Sequence, residues 1–190
     1  MLVSFMKITD SSGKPIPGEA TATGYNDGWC VVDSVSYAVS ADDGDKLSGE
    51  DEVFTLSVEK QVDSATHRIM EYALTKAGSN DAHFKSVTVE VVGVNQKTSS
   101  GSITVAQFRT VIKIVMTDVW VTKWEIAGES SWSDVDDQGV PTESVDFRFS
   151  TVSVVYSDMV YDPSGAAKSK GAYIFEADAK TLSAKSWVKQ

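Results

Sequence analysis

The sequence predicts a mostly β fold with one helix. Apolar side chains recur at every second residue through most of the chain, and only one stretch, about 64–77, carries them at helical spacing. Two alternating runs, about 105–126 and 143–160, far exceed the usual strand of about 5–6 residues. Strands that long twist strongly and curl into a barrel or sandwich.

The alternation reads in order along the chain. Phe54, Leu56 and Val58 alternate with Thr55, Ser57 and Glu59. Val87, Val89 and Val91 form the next apolar face. Ile112, Ile114 and Met116 share a parity that Trp120, Thr122, Trp124 and Ile126 continue. Val145, Phe147 and Phe149 take one parity, and Val152, Val154 and Tyr156 take the other. A flip of that kind predicts a β-bulge between them.

The helix begins after Asp63, with Ser64 as the expected N-cap. Ile69, Met70, Ala73, Leu74 and Ala77 form its apolar stripe. Lys76 and Gly78 supply a basic last turn and a left-handed terminator. A helix of about 13 residues is too short to be stable alone and needs a sheet to pack on.

Between these elements the sequence is polar. Residues 40–52 hold six acids and one lysine, and residues 127–146 hold six acids and no base. Residues 95–102 are rich in Ser and Thr, and residues 162–171 contain Pro163, Gly165 and Gly171. All read as loops. None is an interdomain linker, and no repeat of fixed period is present, so the 190 residues are expected to form one domain. The order of the tail from Thr181 is left open.

Hydrophobic residues at 42% and charged residues at 23% place the chain among globular proteins and away from disorder. Lys and Arg number 17 against 27 Asp and Glu, a formal charge of -10. That balance excludes a nucleic acid or an anionic membrane as the main partner. No run approaches the roughly 18 apolar residues of a membrane span, and the N-terminus lacks the basic region of a signal peptide. The protein is expected to be made in the cytoplasm. One cysteine, Cys30, makes neither an internal disulfide nor a cysteine-based metal site.

Residue chemistry alone yields no reaction. His67 and Glu71 share a helix face and His83 follows, a weak zinc pattern better read as solvated side chains. No G-x-S-x-G elbow is present, and the carboxylates cluster in solvated loops. Asp134, Asp136 and Asp137 open like a calcium loop, but Val145 stands where the bidentate Glu is required. No catalytic residue, cofactor or metal is therefore expected. Of the five tryptophans, Trp120 and Trp124 have core parity, and Trp132, in the acidic segment, is a candidate interface anchor.

Gly18-Glu19, Gly28-Trp29, the Lys60, Asp63 and Ala65 set, Val119-Trp120-Val121-Thr122 and Pro141-Thr142-Glu143 follow one another in an order that resembles the haemolysin-coregulated protein (Hcp) family of type VI secretion. The segment Gly18-Glu19-Ala20-Thr21, then Gly28-Trp29-Cys30-Val31-Val32, is similar to the family's early Gly-Glu and Gly-Trp-Ile segments. Lys60, Asp63 and Ala65 match its Lys-x-x-Asp-x-Ala/Ser entry into the single helix. Val119-Trp120-Val121-Thr122 resembles the strand that follows, and Pro141-Thr142-Glu143 with Tyr156 resembles the late Pro-x-Glu strand and its closing tyrosine. Cys30, Ala38 and His67 depart from the usual Ile, Gly and Pro.

The resemblance implies a compact β-barrel of two antiparallel sheets with one helix packed on the side, similar to phage tail tubes. It implies a structural tube subunit, not an enzyme: hexameric rings stack into a hollow tube, a contractile sheath drives the tube outward with a spike and a baseplate, and the lumen carries effectors. Export to the medium or a target cell follows. The segment 40–52 corresponds to the family's extended loop, so Asp42, Asp43, Asp45, Lys46, Leu47, Glu50 and Asp51 are the expected ring-stacking residues. Their acids need basic partners such as Lys14, Lys97 or Lys168, which makes stacking salt-sensitive. The alternative from another class is a monomeric β-sandwich that binds calcium or carbohydrate through Trp132 and residues 134–137.

Overall fold

A computed structural model describes residues 2–39, 54–75, 83–99, 102–127, 141–161, 167–178 and 183–189. The strands are β1 (Leu2–Thr9), β2 (Trp29–Val32), β3 (Ser34–Val39), β4 (Phe54–Gln61), β5 (Phe84–Ser99), β6 (Ser102–Ala127), β7 (Thr142–Tyr161), β8 (Ala167–Asp178) and β9 (Ser183–Lys189). The helix α1 spans Thr66–Thr75. The expected mostly β fold with one helix is therefore present. The two expected sheets are joined in one antiparallel network of nine strands.

Chain connectivity shows that the sheet curls. Its main path runs β2-β1-β5-β6-β7-β4-β3. The two end strands, β2 and β3, are separated in sequence by Asp33 alone. The ends of a seven-strand path can meet within one residue only if the sheet rolls on itself. The Asp33 N–H donates to Glu59 O at 2.9 Å and pins the seam to β4. The rolled sheet encloses Met6, Ile8, Leu56, Val58, Phe84, Val87, Met116, Phe147 and their neighbours in one core. Ala65 and Ile69 of the helical segment are fully buried in it, and Tyr72 lies 4.2 Å from the Phe84 ring.

The parity flip in β7 has a different origin from the expected bulge. Phe149 and Val152 are both core residues, but so are Met116 and Val119 in β6, and Phe84 and Val87 in β5. Three adjacent strands change parity at one level. Pairing keeps one register across it, from Thr117↔Thr151 to Val119↔Phe149. Asp118, at φ 47, sits in the left-handed region at that level. The three strands turn together there, so both parities face one core.

This turn also corrects the reading of β6. Val119 and Val121 take the core positions, Trp120 and Thr122 are half-buried and Ile126 is exposed, while Trp124, past a register shift at Val121/Lys123, packs against the core as expected. In β5, Val91 is half-buried, and Val92, on the opposite face, is buried in a second small core with Phe5, Ala20 and Tyr25.

The helix cap and face also differ from expectation. Asp63 accepts the Ala65 N–H at 2.8 Å, and Thr66 Oγ1 accepts the Asp63 N–H at 3.0 Å. Asp63, not Ser64, closes the helix start. Met70 and Leu74, assigned to the stripe, are exposed; the packed residues are Ala65, Ile69, Tyr72 and Ala73. Ala77, Lys76 and Gly78 lie outside the described residues.

Two segments read as loops belong to strands. β5 continues to Ser99 opposite Ser102, and β8 begins at Ala167 opposite Tyr161. Cross-strand pairing overrides their Ser- and Gly-rich composition. The C-terminal tail contains β9, which pairs with β8.

Candidate functional site

The chemistry-bearing side chains of the described residues form two buried polar clusters and one open groove. The first cluster joins β4, β7 and α1. Lys60, next to last in β4, points inward, and its side chain is completely buried. Its ammonium lies 2.6 Å from Glu143 Oε1 and 2.7 Å from Asp63 Oδ1, and donates to Gln61 O at 3.0 Å. Thr66 Oγ1 donates to Glu143 Oε1 at 2.8 Å, and Trp124 Nε1 donates to Glu143 Oε2 at 2.7 Å. Every charge in this knot has an opposite partner, as burial demands. Burial acts to lower the Lys60 pKa, but hydrogen bonds to Asp63 and Glu143 outweigh it and hold the pKa above the ordinary lysine value. The ammonium therefore stays charged and is not available as a base or nucleophile.

Cys30 lies beside this knot and is 1% exposed. Burial, followed by the Asp63 carboxylate, pushes its thiol well up. A protonated buried thiol is inert.

The second cluster lies on the outer face of β1 and β5. Residues 10–28 fold over it as a strap. Tyr25 stacks on Phe5 at 4.1 Å and meets Trp29 edge-on at 5.0 Å. Ala20 and Val92 complete a small second core. The Tyr25 hydroxyl donates to Glu90 Oε2 at 2.8 Å, and Thr110 Oγ1 donates to the same oxygen at 3.0 Å. Lys113 lies 2.9 Å from Glu90 Oε1. Burial raises the Glu90 pKa, but Lys113 and Tyr25 together hold it below the usual carboxylate range. Burial, then the bond to Glu90, pushes Tyr25 up to about 12. A folded pKa above the unfolded value of about 10 means that this anchor is complete below pH 10 and lost between about 10 and 12. In an absorbance titration at alkaline pH, Tyr25→Phe is expected to remove a late phenolate transition near pH 12. Loss of an ordinary transition at about pH 10 instead would place Tyr25 in water.

The strap is locked to the helix entry. Ser64 donates its N–H to Glu19 Oε1 and its hydroxyl to Pro17 O, both at 3.0 Å. Gly18 passes so close to β2 that a Cβ there would lie 2.3 Å from Trp29 O.

The open groove is at one end of the sheet. Pairing of β6 with β7 ends at Ile112↔Tyr156. Beyond it, β5–β6 continues as one hairpin and β7–β8 as another, so two arms part like a fork. Ile112, Val154, Tyr156 and Tyr173 line an apolar groove of about 460 Å³ at its base. Tyr156 is 40% exposed there.

The weighed metal set is not assembled. Glu71 pairs with Arg68 at 2.6 Å, His67 is exposed, and His83 sits 3.8 Å from Asp118 over the Trp120 ring. Among the described residues no group of three metal-binding side chains occurs. The expected stacking residues Asp42, Asp43, Asp45, Lys46, Leu47, Glu50 and Asp51 lie outside the described residues, as do Trp132 and residues 134–137.

The motif residues of the sequence are thus framework. Gly18 and Glu19 hold the strap, and Lys60, Asp63 and Glu143 form the knot. The model of the type VI secretion system effector Hcp matches residues 5–156, which contain all of them. The chain belongs to the Hcp family. This is a family of tube-type proteins secreted by type VI systems. Solved structures share its fold. A type six secretion system protein is 20% identical, with a TM-score of 0.65, covering 97% of this chain and all of its own. Hcp1 from Salmonella typhimurium is 18% identical, with a TM-score of 0.60, covering 97% of this chain and 100% of its own. A type VI secretion system effector from Yersinia pestis is 18% identical, with a TM-score of 0.55, covering 92% of this chain and 98% of its own. No curated protein sequence matches the chain.

Proposed function

We propose that the chain is the tube subunit of a type VI or related contractile injection machine. Copies close into hexameric rings, and the rings stack into a hollow tube that carries small effectors. A sheath, a spike and a baseplate are its partners in the machine. The subunit is made in the cytoplasm and leaves through the machine it builds. Its work is assembly, not turnover.

The family match over residues 5–156 carries this reading. The chemistry supports it, because Lys60, Glu143 and Glu90 are all committed to partners inside the fold. Asp42, Asp43, Asp45, Lys46, Leu47, Glu50 and Asp51 reach a neighbouring ring. Negative-stain microscopy with light scattering tests the proposal. Annular particles of six subunits are expected, with stacks that shorten as salt rises. A protein that stays a single molecule at millimolar concentration overturns it.

A further inference from the structure

We draw no further inference here: the strongest candidate, the apolar groove of Ile112, Val154, Tyr156 and Tyr173 on the face of the paired strands β6, β7 and β8, carries nothing, because nothing in the structure shows what covers it.

Discussion

Lys60→Met is expected to cost about 3–5 kcal/mol of stability, the usual loss when one member of a buried ion pair is removed. For a chain of this size that lowers Tm by roughly 6–20 °C. Methionine fills similar space, so the loss is electrostatic. Glu143 has a fully buried side chain and Asp63 one that is 10% exposed. Without the ammonium, two carboxylates share one dry site. Thr66 and Trp124 still donate to Glu143, but neither neutralises it. Adding Glu143→Gln is expected to recover part of the loss, because one orphaned charge is gone. Arg68→Met, which breaks an exposed pair, should leave Tm nearly unchanged. The sign with pH follows from the raised Lys60 pKa. Its contribution is complete below the unfolded lysine value of about 10.4 and disappears only above it, so the gap between wild type and variant persists through neutral pH. Thermal melts near neutrality and at alkaline pH check this; a shift no larger than that of Arg68→Met would mean the knot is solvated.

The same knot marks how far the sequence could be read. Alternation located β4 to β7, because each buries one face and period 2 reports a buried face directly. It showed the parity flip at the Asp118 level in β7, between Phe149 and Val152, but read it as a bulge, because a left-handed residue in the neighbouring strand is invisible to alternation. Trp120 kept the parity of Met116 on paper, while the turn passed the core positions to Val119 and Val121; Trp124, past the register shift at Val121/Lys123, does pack against the core. Composition hid the fork arms, because Ser, Thr and Gly read as loop when the partner strand is unknown. On the helix, Met70 and Leu74 have the right residue type but lie outside the narrow face that Ala65, Ile69 and Tyr72 present to the sheet. The buried ions have no periodicity to betray them. Lys60 and Glu143 are polar and sit 83 positions apart, so only the motifs around them pointed to their importance.

Gly18→Ala is expected to destabilise the strap by about 1–3 kcal/mol, the usual range for overpacking, through a single added methyl group. The methyl would lie 2.3 Å from Trp29 O and 2.7 Å from Cys30 N. Both are backbone atoms of a strand paired with β1, so no flexible side chain can move aside. Relief must come from the strap. The Ala20 N–H donates to that same Trp29 oxygen at 2.8 Å, so lifting Gly18 strains the bond that seats Ala20. Displacement on one side loosens Glu19 from Ser64 at the helix entry. On the other it loosens the Tyr25 stack on Phe5, which covers the outer face of β1 and β5. Hydrogen exchange is the informative measurement, because it separates strap from barrel. Protection should fall across residues 16–29 and at Ser64, while β6 and β7 keep theirs. A uniform loss would mean that the strap and the barrel unfold as one unit; no loss at all would mean that the backbone of β2 yields where its pairing with β1 says it cannot.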